Sequence, residues 1–448
     1  MNKEQKQFYK TTFGLVLPMA IQNLINVGVT SADVIMLGKV GEIALSASSL
    51  AGQVYFVVSL VLFGLTSGAC VLTAQYWGKQ DTETIEKVLG ISFQIGISVA
   101  FLATIMVWIA PYQIMSLFTN ETAVLEEAVG YLKIISLSYV LSAFTVVYLN
   151  IIRSVERVVI STVVYAISLA VNIILNAIFI FGLLGWPAMG VRGAALGTVC
   201  ARFVEVLLVV WYAKKKNDVV RIQKKYLFRR EKWLLQDFCK YALPVMLNEF
   251  AWSMGMAVMA AIIGHLGSPA VAANSVAQVA RQMATVVSFG VSSATAIMIG
   301  KTIGEGDEDR TKIYAARLLK LSVVIGAVGG LIILGVAPAA GHFLNLSETA
   351  KSYLWVMMIV MSYYAVCQSF NCTMIVGVCR AGGDIRYGVF LDVCLMWGSS
   401  ILLGAIAAFV LKIPMPWVYI VIMSDEVVKI PFCLQRYRSM KWLNHVTR

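Results

Sequence analysis

Charge is what this sequence has least of. Only 13% of its 448 residues are Asp, Glu, Lys or Arg, while 59% are hydrophobic and the mean hydropathy is +0.79. A soluble domain carries roughly 25% charged residues, so a chain of this size cannot clothe a water-exposed surface with so few. The same figures exclude disorder. Phosphate-binding loops are also missing: the nearest string, TAIMIGKT (295–302), has Thr295 where GxxxxGK[ST] requires its first Gly. ATP-driven pumping by this chain alone is therefore disfavoured. The eight Cys form no CxxC pair, and the three His are scattered. A metal centre, a His-based hydrolase and an intramembrane enzyme all lack their parts. Neither an enzyme nor a bound organic cofactor is expected.

Apolar runs are what the sequence has in abundance. A membrane-spanning helix needs about 20 mostly apolar residues. Twelve stretches qualify, near 12–37, 45–76, 88–110, 128–152, 158–183, 190–213, 238–264, 270–300, 317–341, 351–378, 387–411 and 414–436. The N-terminus, MNKEQKQFYKTTFG, shows no small-residue cleavage site, so the first run reads as a retained helix. The fold class is an all-α polytopic membrane protein with twelve transmembrane helices.

The cations set the orientation. The chain has 36 Lys and Arg against 24 Asp and Glu. With a cytoplasmic N-terminus, 27 of the 36 fall in cytoplasmic segments, four outside and five within spans. That bias places both termini in the cytoplasm of a multi-pass plasma-membrane protein. Nucleic-acid binding is not needed to explain the charge. The densest basic stretch, KKKNDVVRIQKKYLFRREKW (214–233), lies between the sixth and seventh spans and reads as a cytoplasmic linker against anionic lipid.

The two halves repeat. A shift of 226 residues brings Pro18 onto Pro244, Gly38 onto Gly264, Gly41 onto Gly267, Gly64 onto Gly290, Gly78 onto Gly304 and Asp81 onto Asp307, without a gap. Arg153 and Arg380 match at a shift of 227. Six spans per half return the chain to its starting side, so the repeat is parallel. Two six-helix bundles follow, with boundaries at 1–213 and 238–448 and the basic linker over 214–237. Such repeats favour alternating access.

Several short motifs carry a family resemblance. They are LP-x14-DVIMLGKVG (Leu17 to Gly41), IIGHLGSPAVAA (262–273), YWGKQD (76–81), CRAGGD (379–384) and N-x3-N-x4-FG (Asn172 to Gly182). With twelve spans and a 6+6 repeat, the whole chain resembles the MATE (multidrug and toxic compound extrusion) exporters of the bacterial NorM and DinF kind. The resemblance implies a monomeric secondary antiporter. Its partners would be small amphipathic, mostly cationic substrates and membrane lipid, and its coupling ion Na⁺ or H⁺. A lipid-linked oligosaccharide flippase of the same superfamily is the alternative; its cavity should be markedly cationic.

A charge at mid-bilayer costs at least ~2.5–3.5 kcal/mol, so each embedded one raises a functional question. Asp33 lies well inside the first span with no adjoining cation; Thr30 and Ser31 are near enough in sequence to bond it. Such a carboxylate can take a proton, or bind Na⁺ with nearby oxygen ligands. Asn172 and Asn176 are four apart and share one helix face. By themselves they read as glue between helices. The resemblance implies more: the helix 1 Asp, two helix 5 positions at this spacing and a helix 6 Thr, here Thr198, form an ion site in the N-terminal lobe. Some relatives have Asp where this chain has Asn176. Glu249 in the seventh span and Asp392 in the eleventh are further acids that could meet a substrate or close the C-terminal lobe. The helix 7 and helix 10 carboxylates of NorM-type relatives are replaced here by the neighbourhood of Ala251 and Trp252, and by Ser369 and Asn371. Arg202 and Glu205, three apart, can pair on helix 6. Arg281 has no obvious local partner and could snorkel or answer Glu249 across the cavity. Tyr55, Tyr139, Tyr363, Tyr364 and Met283 are candidates to line a cavity.

Overall fold

The computed structural model describes residues 3–119, 121–228, 231–343 and 347–447. Arg229 and Arg230 of the basic stretch lie outside the described residues. Among the described residues there are helices and no strand. Among the described residues, eleven helices are long and apolar enough to cross a membrane. They are α1 (Lys3–Val40), α2 (Glu42–Gly78), α3 (Thr82–Ile109), α4 (Leu137–Ser154), α5 (Val159–Phe181), α6 (Gly190–Lys215), α7 (Lys232–Gly264), α8 (Ser268–Gly304), α9 (Glu308–Phe343), α10 (Glu348–Cys372) and α11 (Ile385–Val410).

The twelfth expected span, 414–436, is where the structure departs from the sequence. It is broken into Met415–Ile422 and α12 (Asp425–Arg438). Asp425, Glu426 and Lys429 follow the break, and all three are buried. At 8 and 14 residues, neither piece is long enough to cross a membrane by itself. The fourth span is divided too: Thr122–Ile135 leads into α4 through Ser136. Side chains of α3 take the polar groups freed there. Thr104 Oγ1 donates to the Ser136 carbonyl at 2.9 Å and Trp108 Nε1 donates to Ser136 Oγ at 3.1 Å. Partner side chains at such a site make a kink tolerable in a membrane. Beyond α10, Thr373–Cys379 continues in wide π-helical turns, and so do Phe390–Ile401 and Ile406–Val410 within α11. Such turns cluster at functional sites, and Asp392 sits in one of them.

The chain divides into two compact units. One comprises Ile21–Thr73 and Asp81–Ala242; the other comprises the chain up to Ala20, Ala74–Gln80, and the chain from Leu243 onward. The first has an apolar core that includes Leu62, Ala100, Leu132, Tyr139 and Ala195. On α3, by contrast, Phe101, Leu102, Met106 and Ile109 are 55%, 59%, 64% and 77% exposed. In water such a face would be an aggregation liability; in lipid it is the outer wall. The basic segment is tied down at its end: Lys87 Nζ lies 3.2 Å from Glu83 and 2.9 Å from Glu231. That ammonium holds the Glu231 carboxyl below its ordinary range. The second unit has its own core, with Met259, Ile333, Met357, Met361, Tyr364 and Met396 among its members.

Candidate functional site

A glycine cap and a glycine contact shape the junction of α5 and α6. Gly182 ends α5 in the left-handed region, with φ 73°, and its N–H donates to the Ile178 carbonyl at 2.9 Å. Glycine adopts this conformation without strain. On α6, a Cβ added at Gly197 would lie 2.2 Å from Asn176 Oδ1. Only a residue without a side chain lets α6 approach Asn176 so closely.

The result is one hydrogen-bonded line through three helices. Asn176 Nδ2 donates to Asp33 Oδ1 at 2.5 Å and also faces Asn172 Oδ1 at 3.2 Å. Asn172 Nδ2 donates to Thr198 Oγ1 at 3.2 Å. All four residues that the resemblance assigns to the N-terminal ion site are thus brought together. Asn172 and Asn176 are 2% and 0% exposed. Asn176 Oδ1 is buried with no hydrogen-bond partner among the described residues. No ion pair reaches Asp33 among the described residues.

One expected contact is replaced. Thr30 does not bond Asp33; its hydroxyl donates back to the Asn26 carbonyl at 3.3 Å. This is the usual behaviour of Thr inside a helix, and it leaves Asn176 as the group that holds Asp33.

The line borders a cavity of 320 Å³ within the same unit. Its walls include Thr30, Tyr55, Asn172, Thr198, Arg202 and Glu205. The Arg202–Glu205 pair forms as expected, at 2.6 Å, and Thr145 Oγ1 donates to the second carboxylate oxygen at 3.3 Å. Its position on the cavity wall had a sequence signal. Thr198, Arg202 and Glu205 follow an i, i+4, i+7 spacing, which places them on one helix face. Of the aromatic candidates, Tyr55 lines this cavity, whereas Tyr139 is a core residue at 0% exposure.

Glu249 and Asp392 are both ion-paired. Glu249 Oε1 lies 2.6 Å from Arg380 Nη2, so Arg380, and not Arg281, answers it. Asp392 Oδ1 lies 3.2 Å from Lys429 Nζ, and its Oδ2 accepts from Asn248 Nδ2 at 3.0 Å. Lys429, thirty-seven positions from Asp392, gave no local signal of this contact. Arg281 is buried. It donates through Nε to Gln278 and through Nη1 to Gln368, both at 2.9 Å, and lies over the Tyr364 ring. A separate cavity of 220 Å³ in this unit is lined by Met256, Met259, Asn274, Gln278, Arg281 and Gln282. Met283 is 54% exposed, and Tyr364 is buried beside Arg281.

Comparison with known proteins agrees with this architecture. The MatE family description matches residues 18–178 and 244–406, one match in each half. The chain is 23% identical to a probable multidrug resistance protein NorM of Thermotoga maritima, over 98% of this chain and 94% of that protein. It is 21% identical to an uncharacterized transporter, YisQ, of Bacillus subtilis, over 96% and 94%. A MOP superfamily transporter from Pyrococcus furiosus, described as having a binding pocket of reverse polarity, superposes with a TM-score of 0.86 at 21% identity, covering 96% of both chains. An outward-facing multidrug resistance MATE transporter gives 0.85 at 21% identity and the same coverage. The fold is theirs, twelve helices in two bundles. With both halves matched by one family, this multi-pass membrane protein belongs to the MatE family, the MATE transporters.

Proposed function

We infer that the chain is a secondary antiporter that exports amphipathic, mostly cationic organic compounds in exchange for H⁺ or Na⁺. One observation carries this reading: Asp33, a carboxylate within a membrane span, is held by the neutral amide of Asn176 and borders a cavity through Asn172 and Thr198. An uncompensated carboxylate in a membrane is a point where a mobile cation changes the energy of the lobe. Ionised Asp33 accepts from Asn176. When Asp33 takes a proton, or a Na⁺ enters beside it, that hydrogen bond must be remade. The adjoining α5–α6 contact at Gly197 has no slack to absorb the change, so the lobe repacks and substrate is released outward. Asn176 Oδ1, buried without a donor, favours the Na⁺ form, because an amide oxygen suits a hard cation.

The two bundles are read as lobes of a monomer, over 1–213 and 238–448, with 214–237 and both termini cytoplasmic. The cation distribution of 27 against four supports that orientation.

The test has two parts. Replacing Asp33 by Asn should abolish drug resistance in cells while leaving expression and folding intact. Uptake of a fluorescent organic cation into inverted vesicles, driven separately by a pH gradient and by a Na⁺ gradient, should name the ion. Undiminished resistance in the Asp33→Asn variant would sink the assignment.

The flippase reading has one observation in its favour. Arg281 is the charged group on the wall of the 220 Å³ cavity, among Met, Asn and Gln residues. If pyrophosphate-linked lipid is the substrate, Arg281→Gln should stop transport and fluorescent cations should not move.

A further inference from the structure

The reading above leaves unused a group of charges on α11 and α12. Lys429 is 1% exposed. Its Nζ lies 3.2 Å from Asp392 Oδ1, 3.2 Å from Asp425 Oδ2 and 3.2 Å from Glu426 Oε1. The ammonium has three donors and faces three carboxylates. Two amides complete the shell. Asn248 of α7 holds Asp392, and Asn371 of α10 donates to Glu426 Oε2 at 2.8 Å and to the Glu426 carbonyl at 2.6 Å.

The charges do not balance. Three carboxylates and one ammonium leave two negative charges if all are ionised. Asp425 is 1% and Glu426 5% exposed. The surrounding helices do not make up the difference. Tyr364, Cys367 and Cys372 come from α10, and Cys433 from α12 itself. Arg281 of α8 lies behind Tyr364, 6.0 Å from its ring, bonded to its two Gln partners. Arg380 forms its own pair with Glu249. Even with Arg281 counted, three acids face two cations. Buried excess charge of this kind is removed by taking up a counter-charge.

Unpartnered acceptors point to the same need. Asp425 Oδ1, Asn371 Oδ1 and Asn248 Oδ1 are all buried without a hydrogen-bond partner among the described residues. Three acceptors lack a donor beside three acids that lack positive charge. A proton supplies both, because it turns one carboxylate oxygen into an O–H donor. The Lys429 ammonium already fills the centre of the trio. Among the described residues no group of three or more His, Cys, Asp and Glu has a metal-holding arrangement.

We propose that Asp392, Asp425 and Glu426, gathered round Lys429, form a proton-binding site in the unit that contains α7–α12. The trio shares at least one proton at neutral pH. Asp392, whose side chain is 14% exposed against 2% for Asp425 and 6% for Glu426, is the group through which it enters and leaves. The site is independent of Asp33 and stands whether or not Asp33 couples transport.

Infrared difference spectroscopy of the purified full-length protein tests this directly, because a protonated carboxyl has its own carbonyl band. The Asp33→Asn background removes the other candidate carboxyl. In that background a protonated-carboxyl band should be present at neutral pH and disappear on alkaline titration. Adding Asp392→Asn and Asp425→Asn leaves one acid to one Lys, and the band should be lost at neutral pH. Adding Lys429→Gln alone should instead strengthen it. Size-exclusion profiles and circular dichroism confirm that each variant folds; if the double change does not, Asp392→Asn alone should weaken the band. No band in the Asp33→Asn background at neutral pH overturns the proposal, as does an unchanged band in a folded Asp392→Asn variant. A band abolished by Na⁺ but not by K⁺ overturns the proton assignment in favour of sodium.

Discussion

The two units have met the same difficulty, an acid inside a membrane, in opposite ways. In the first, Asp33 accepts from a neutral amide, Asn176, behind which Asn172 and Thr198 continue an uncharged hydrogen-bonded line. In the second, Asp392, Asp425 and Glu426 are gathered by an ammonium. The repeat sharpens the contrast. At the 226-residue shift Asp33 meets Met259, and at the 227-residue shift Asn172 and Asn176 meet Ser399 and Leu403. The second half has thus replaced every member of the first half's line: Thr198 meets Asp425, while Arg202 meets Lys429. Each half keeps a cation at that position of its last helix. In the first half it answers one buried acid, Glu205, and in the second it answers three. A duplicated scaffold has therefore kept its helices while dividing its polar chemistry. In the proposed mechanism the neutral Asn176 amide leaves Asp33 open to a mobile cation, whereas in the second unit a fixed ammonium partly satisfies the acids in advance.

The largest expected effect is on transport. Asp33→Asn should abolish ion-driven export, whereas Met259→Asp, which places an acid at the matching position of the second half, should restore none of it. Resistance assays in cells, with membrane expression measured in parallel, check both. Export recovered by Met259→Asp in the Asp33→Asn chain would break the comparison.

Next come the two cations. Removing one partner of a buried ion pair typically costs about 3–5 kcal/mol. Arg202→Met leaves one acid, Glu205, at 0% exposure, and should lower thermal stability by that order. Lys429→Met leaves three acids and should cost at least as much, with a stronger rescue on acidification, because protons can replace the lost ammonium. Thermal unfolding in detergent across pH reads the difference. Equal pH dependence in the two variants would remove the distinction drawn between the units.

A smaller effect is expected at the helix contact. Gly197→Ala puts a Cβ 2.2 Å from Asn176 Oδ1. Overpacking of this kind costs about 1–3 kcal/mol. The variant should fold, yet show weakened coupling because Asn176 is pushed off Asp33. Unchanged ion-driven uptake in Gly197→Ala would show that Asn176 need not be held where it is.

Much of this was legible in the amino-acid sequence, and the reason differs by residue. The 226-residue register of Pro, Gly and Asp81 revealed the duplication because apolar composition cannot maintain such a register. Asn172 and Asn176 fall on one face because helical geometry requires it. What bonds across helices was not legible. Glu249 finds Arg380 more than a hundred residues away, and Asp392 finds Lys429 on α12. Asp425, Glu426 and Lys429 sit inside an apolar run whose overall hydropathy hid them, although the i, i+4 spacing of Asp425 and Lys429 was a sign of a pair.

The central claim is that Asp33 carries the coupling ion in the first unit. Proteoliposome transport of a fluorescent organic cation can separate coupling from substrate passage, by comparing ion-driven uptake with substrate-for-substrate exchange at zero gradient. The Asp33→Asn protein should lose the first and retain the second. Ion-driven uptake in that variant equal to the unaltered protein would contradict the claim.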